Sequence, residues 1–105
     1  MSRRVGTEDF DEVVLAAEAP VLVDFYSDTC IPCKRLAPRL ARLEAELGDA
    51  LLVAKVNVGY DLPLAERYGV MASPTLVLFK GGEEVARHRG VMSPEELRDF
   101  VEKAL

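Results

Sequence analysis

The sequence contains no tryptophan, one histidine and two cysteines in 105 residues. Any chemistry that depends on sulfur is therefore confined to Cys30 and Cys33. No apolar stretch approaches the roughly 20 residues that a membrane-spanning helix needs. The first four residues are followed by Val-Gly-Thr-Glu-Asp rather than by the apolar core of a signal peptide. We therefore expect a cytoplasmic protein that does not bind membranes.

Positive charge is also scarce. Thirteen lysines and arginines stand against eighteen aspartates and glutamates, which gives a net charge of −5. Such a charge disfavours attraction to a phosphate backbone, so nucleic acid is not an expected partner. The length and the 50% hydrophobic content suit a single domain with one core over residues 1–105.

The apolar pattern predicts three strands rich in β-branched residues, over residues 21–26, 51–58 and 75–79. Only Asp24 interrupts the first of these, which is typical of a central strand covered on both faces. The pair Gly81-Gly82 predicts a hairpin turn into a further strand over residues 83–89. Before Thr7 the pattern leaves open whether a short opening strand exists.

Helical spacing of apolar residues predicts helices between these strands. Thr7 is expected to cap a helix that ends before Pro20, and a second helix follows the cysteines as far as Leu47. A short helix should lie between Asp61 and Gly69, and Ser93 with Glu96 forms the capping box of the last one. The alternation predicts an α/β fold, a three-layer sandwich with a central mixed β-sheet flanked by helices.

The two cysteines stand at the predicted start of a helix, where unsatisfied N–H groups and the helix dipole stabilise negative charge. Cys30 should therefore be easier to ionise than a free thiol. Cys33 follows three residues later, so both sulfurs lie on the same side of the first turn, close enough to bond. The first sulfur can attack a disulfide and the second can resolve the product.

Two other uses of the cysteines compete with redox exchange. A zinc site needs about four ligands, whereas one chain offers Cys30, Cys33 and His88. A structural disulfide across so short a loop would restrict the unfolded chain little, and a reducing compartment would not maintain it.

Five other residues could serve either the function or the fold. Asp24, in an apolar strand, should have a raised pKa because burial disfavours its charged form. Lys55 could pair with Asp24 across the sheet or extend to solvent. His88 is expected to be solvated on an edge strand, and Met71, like Met92, is expected to pack in the core.

The motifs taken together resemble the thioredoxin family. They are Val-Asp-Phe-Tyr before Cys-x-Pro-Cys-Lys, Pro38 five residues after Cys33, the run from Ser73 to Gly82, and Gly90 before a capped helix. The resemblance extends from Thr7 to Leu105. It implies the thioredoxin fold, with Cys30 as nucleophile and Cys33 as resolving cysteine.

The resemblance also implies the remaining site. Asp24 would help to move the proton of Cys33, Lys55 would lie near Asp24, and Pro74 would be a cis-proline facing the disulfide. The residues implied to contact substrate are Thr29, Ile31, Pro32, Ala72, Ser73 and Gly90. An extended substrate segment would pair with the backbone at Ser73.

This resemblance implies a monomeric protein-disulfide reductase without bound cofactor or metal. Its substrates would be disulfide-containing proteins, and a flavoprotein thioredoxin reductase would regenerate the dithiol. The sequence departs from the family pattern at Thr29, Ile31, Ala72 and Ser73, where partners and redox potential are set. A disulfide oxidant or isomerase, and a non-catalytic interaction module, are therefore the alternative functions.

Overall fold

The computed structural model describes residues 2–105 of the chain. Within this range the strands are β1 (Arg3–Arg4), β2 (Val21–Tyr26), β3 (Leu52–Asn57), β4 (Thr75–Lys80) and β5 (Glu83–Arg89). They form a five-stranded sheet in the order β1-β3-β2-β4-β5. The first three in this order are parallel, and β4 and β5 each run antiparallel to the preceding neighbour. β2 is therefore the central strand, as predicted.

In residues 2–105 three α-helices accompany the sheet: α1 (Ile31–Leu47), α2 (Leu62–Arg67) and α3 (Pro94–Glu102). A short π-helix over Asp11–Leu15 follows β1. Ser93 accepts a hydrogen bond from the Glu96 N–H, and the Glu96 carboxylate accepts one from the Ser93 N–H, which confirms the predicted capping box.

The alternation of side chains along β2 divides the core into two apolar layers. Leu22 packs with the buried residues of α1 and α3 on one face of the sheet. Val21, Val23 and Phe25 pack on the other face with the π-helix and α2. The predicted three-layer sandwich is thus confirmed. Because successive side chains point to opposite faces, Asp24 lies on the face that α1 covers.

The predictions for Thr7 and Met71 are wrong, and that for His88 holds only for its place on the edge strand β5. Thr7 caps no helix, because its N–H and its hydroxyl both donate to Asp61 Oδ1, at 2.9 and 3.1 Å, and the helix that follows spans only Asp11–Leu15. Met71 is 93% exposed rather than packed, whereas Met92 is buried as predicted. His88 is half-buried, since its ring lies against the edge of Phe100 with the centroids 6.4 Å apart.

Candidate active site

The two cysteines lie at the amino end of α1 and are joined by a disulfide bond. Cys30 is the N-cap residue with an extended backbone, and Cys33 lies in the first helical turn, so that their Cα atoms are 5.2 Å apart. Their exposed fractions are only 9% and 5%. The short spacing at the start of a helix therefore produces the bonded pair that the sequence predicts.

The Cys30 sulfur has two polar neighbours with opposite effects on its charge. The Cys33 N–H donates a hydrogen bond to Cys30 Sγ at 3.1 Å, and this contact stabilises a thiolate there. The Ser73 carbonyl oxygen lies 3.4 Å from the same sulfur. In the reduced protein that oxygen can accept a hydrogen bond from the neutral thiol, which favours the uncharged form. The reactivity of Cys30 thus depends on both the amino end of α1 and the Ser73 loop, which is residues 68–74 between α2 and β4.

The Ser73 loop is fixed to the rest of the fold at two points. The peptide bond between Ser73 and Pro74 is cis, as the resemblance implies. The Pro74 carbonyl accepts a hydrogen bond from the Gly90 N–H at 2.8 Å. The Thr75 hydroxyl donates to the Ala72 carbonyl at 2.6 Å. These bonds hold the loop beside the disulfide and at the end of β5.

A pair of hydroxyl groups connects the two loops that border the disulfide. Ser27 Oγ lies 3.2 Å from Ser73 Oγ, within hydrogen-bonding distance. Sequence reasoning did not single out Ser27, because the two serines are 46 residues apart and only the folded sheet brings them together. Ser27 therefore belongs with Ser73 in the site.

Asp24 is the buried ionisable group of the site, with 1% of its surface exposed. Its Oδ1 atom accepts no hydrogen bond from any part of residues 2–105. Burial raises the pKa of Asp24 from 3.8 to about 6, and the positive charge of Lys55 opposes that rise. The predicted upward shift is confirmed, and the carboxyl group changes charge close to neutral pH.

Lys55 lies beside Asp24 in the register of β2 and β3. Its ammonium group is 4.9 Å from the centre of the Tyr26 ring, a cation–π arrangement that keeps the side chain along the sheet. A cavity of about 180 Å³ opens beside Lys55 and also reaches Cys33. Cys33 and Lys55 therefore share a solvent-accessible space on the face of the sheet that carries Asp24.

Asn57 is a further buried polar residue that sequence reasoning missed. Its amide group donates to Asp28 Oδ1 at 3.1 Å, and its oxygen accepts from the N–H groups of Gly59 and Tyr60. Asn57 thus connects the loop after β3 to the segment that precedes Cys30. The sequence feature that could have identified Asn57 is its place as a polar residue at the end of the mostly apolar strand β3.

Of the residues expected to contact substrate, Thr29, Ile31 and Pro32 adjoin the cysteines in the chain, and the Ser73 carbonyl lies against Cys30. Those that are exposed are Thr29, Ile31, Pro32 and Ala72. Ser73 and Gly90 are half-buried. Ile31 has 69% of its surface exposed although it is apolar and directly follows Cys30. The expected contact residues thus leave an apolar, accessible side chain next to the sulfur.

In the part of the chain that the structure describes, no three histidine, cysteine, aspartate or glutamate side chains are grouped as metal ligands. Over the same residues 2–105, no helix is both long and apolar enough to cross a bilayer.

Comparison with known proteins gives consistent relatives over the whole chain. The family model described as Thioredoxin matches residues 2–103. "Probable thioredoxin-2" of Caenorhabditis elegans is 42% identical over 100 residues, which cover 95% of this chain and 69% of that protein. "Thioredoxin" of Rhodospirillum rubrum is 37% identical, with 98% of this chain and 99% of the relative covered. "Thioredoxin" of Rickettsia felis is 33% identical over the full length of both chains.

Proposed function

The chain belongs to the thioredoxin family and is a thiol–disulfide oxidoreductase of the protein-disulfide reductase type, and we propose how its residues divide the reaction. Cys30 is the nucleophile and Cys33 the resolving cysteine. The observation that carries this assignment is the position of Cys30 Sγ at the N-cap of α1, where the Cys33 N–H donates to it at 3.1 Å.

The first step forms a mixed disulfide. The Cys30 thiolate attacks one sulfur of the substrate disulfide, the substrate S–S bond breaks, and the other substrate sulfur leaves as a thiolate that takes a proton from solvent. Ile31 and the half-buried backbone at Ser73 border the attacked bond, together with Thr29, Pro32, Ala72 and Gly90. Pro74 fixes the Ser73 carbonyl beside the sulfur.

The second step releases the product. Cys33 gives its proton to the Asp24 carboxylate, and the resulting thiolate attacks Cys30 Sγ. The bond between Cys30 and the substrate breaks, the second substrate sulfur leaves, and the Cys30–Cys33 disulfide remains, the form present in the structure. Two electrons pass from the protein dithiol to the substrate. Lys55 favours the ionised form of Asp24 and so prepares it to accept the proton.

The partners follow from this reaction. Disulfide-containing proteins are the substrates, and a flavoprotein thioredoxin reductase returns two electrons to the Cys30–Cys33 disulfide. The chain acts as a monomer in the cytoplasm and needs no bound cofactor, since the dithiol itself carries the electrons. The exposed Thr29 and Ile31 border the surface that such a reductase would contact.

Single serine variants test the division of roles between the cysteines. Cys33→Ser should accumulate a mixed disulfide with a reduced protein substrate, visible as a higher-mass species in non-reducing electrophoresis that a reductant abolishes. Cys30→Ser should form none, and the double variant serves as the matched control for folding. Equal trapping by both single variants would show that either sulfur can attack, which contradicts the proposed order.

Equilibration with glutathione tests the direction of exchange. A reductase has a low reduction potential and passes its electrons to most disulfides. At equilibrium with glutathione at the cytosolic ratio, most of it should therefore be in the disulfide form. A dithiol that stays reduced at a clearly more oxidising ratio would instead indicate an oxidant or isomerase. The ratio of thiol to disulfide is read by alkylation and mass spectrometry.

A further inference from the structure

The outward face of α1 is basic although the whole chain is acidic. Lys34, Arg35, Arg39 and Arg42 all lie in this helix, and no acidic residue occurs in it before Glu44. The three arginines follow one another at spacings of four and three, so they lie on one side of the helix. A chain with a net charge of −5 therefore presents a positive ridge beginning one turn from the disulfide.

The positive charges of the ridge are largely available to a partner. Lys34 and Arg35 are exposed, and neither forms an ion pair within residues 2–105. The Arg42 side chain is 79% exposed, and within residues 2–105 it forms an ion pair with Glu46 at 3.5 Å. Arg39 uses one guanidinium nitrogen to donate to the Met92 carbonyl at 2.7 Å, and its charge also acts on the Glu96 carboxylate, so Arg39 is the least available of the three arginines.

The ridge continues into a groove of about 450 Å³ between α1 and α3. Arg39 and Arg42 line it from α1, and Arg98 lines it from α3. Two carboxylates also border the groove: Glu46, which Arg98 contacts at 2.9 Å, and Glu95. Glu102 also contacts Arg98, at 3.7 Å, so this groove carries charges of both signs, and the basic surface is the part of α1 before Glu44.

Ile31 extends the ridge from Arg35 back to the reacting sulfur. Ile31 stands four residues before Arg35 on the same side of α1, next to Cys30, and is exposed. Arg42 lies twelve positions after Cys30 in the sequence, which is about 18 Å along a helix that rises ~1.5 Å per residue. An extended segment that rises ~3.3 Å per residue would pass Arg35 after about two residues and reach Arg42 after about six.

We propose that the ridge formed by Ile31, Arg35, Arg39 and Arg42 selects disulfide substrates that carry acidic residues close to the reacting cysteine. The apolar Ile31 contacts the residue beside that cysteine, and the arginines contact carboxylates about two to six residues away. This inference rests on the proposed attack by Cys30. A short acidic segment suits the surface better than a long polyanion, because the net charge of −5 repels the latter beyond the reach of the ridge.

Peptide disulfides of matched sequence test the selection. One series carries glutamates about two to six residues from the cysteine, a second carries glutamines and a third carries lysines. The rate at which reduced protein is oxidised is measured for each series. At about 0.01 M salt we expect the glutamate peptide to react about fivefold faster than the glutamine peptide and the lysine peptide to react more slowly still. At about 1 M salt the three rates should converge.

Two double variants place the effect on α1. Arg35→Gln with Arg42→Gln should bring the glutamate-to-glutamine ratio of rates close to one. Lys80→Gln with Lys103→Gln removes two positive charges far from the ridge. Lys80 is at the end of β4 opposite to the end that adjoins the site, and Lys103 follows α3. This control should keep the ratio of the unchanged protein.

The outcomes separate the two proposals. Failure of the protein to reduce even the neutral 2,2′-dithiodipyridine would overturn the role of Cys30. Normal reduction of that reagent with equal rates for all peptides would overturn only the selection by α1. An equal loss of the ratio in both double variants would also overturn it, because the net charge and not the ridge would then be responsible.

Discussion

Replacement of Asp24 by asparagine should stabilise the protein above pH 6 and have little effect in acid. The pKa of Asp24 rises from 3.8 to about 6 because the carboxyl group is buried. The native protein therefore keeps this proton to a higher pH than the unfolded chain, and between pH 3.8 and about 6 it binds more protons. The free energy of unfolding must fall as the pH rises through that interval, and the loss is constant above it.

The size of the effect follows from the shift. A shift of one pKa unit corresponds to about 1.4 kcal/mol. The rise of the Asp24 pKa from 3.8 to about 6 therefore lowers the free energy of unfolding by about 3 kcal/mol at neutral pH, where Asp24 is ionised. Asparagine has nearly the same shape as the protonated acid and cannot ionise. The variant should therefore gain about 3 kcal/mol relative to the unchanged protein between acid and neutral pH.

Urea unfolding of the oxidised protein from about pH 4 to about pH 8 measures this difference. Both proteins share all other titrating groups, so the difference between their free energies of unfolding isolates Asp24. Asp49→Asn, the same chemical change at an exposed position, is the matched control. A difference between Asp24→Asn and the unchanged protein that stays constant across the whole pH range would refute the account of a desolvated carboxyl group.

Three further substitutions probe the fold and the site by unfolding. Ser93→Ala removes the N-cap of α3 and should cost about 1 kcal/mol, read as a lower urea midpoint with an unchanged slope; no loss would mean that the capping box adds nothing. Gly82→Ala should cost about 1 to 3 kcal/mol, and more than Gly81→Ala. Both glycines have positive φ, but only at Gly82 would the added Cβ meet a backbone atom, the Leu15 carbonyl oxygen at 3.0 Å. Equal losses of stability would exclude that contact as the cause. Lys55→Met should raise the pKa of Asp24 further, since Lys55 lowers it, so the stability loss should extend to higher pH; an interval shifted to lower pH would contradict that electrostatic effect.

The local elements could be predicted from the sequence because their signals are contained in a few neighbouring residues. The bounds of β2 follow from its continuous apolar run, and the start of α3 follows from Ser93 and Glu96. The Cys30–Cys33 pair is likewise local, since three positions in a first helical turn fix the separation of the two sulfurs. Patterns of this kind depend little on the rest of the fold.

The wrong and missed assignments involve contacts between distant segments. Thr7 has the chemistry of a cap, but Asp61, 54 residues away, provides a better acceptor for its N–H and hydroxyl. Met71 is apolar, yet the loop before Ser73 faces solvent and leaves it exposed. Ser27 and Asn57 carry no motif of their own, and their partners adjoin them only after the sheet has formed. Sequence therefore located the sulfurs but not the polar contacts around them.

The burial of Asp24 connects the cost in stability with the proposed chemistry. A carboxyl group with its ordinary pKa of 3.8 would be a weak base at neutral pH and a poor acceptor for the Cys33 proton. Burial of Asp24 on the face of the sheet that α1 covers brings the pKa to about 6, closer to neutral pH. The same desolvation lowers the free energy of unfolding. If both statements hold, Asp24→Asn should yield a protein that is more stable at neutral pH but resolves mixed disulfides more slowly, with the smallest difference in rate at acidic pH, where Asp24 itself is protonated.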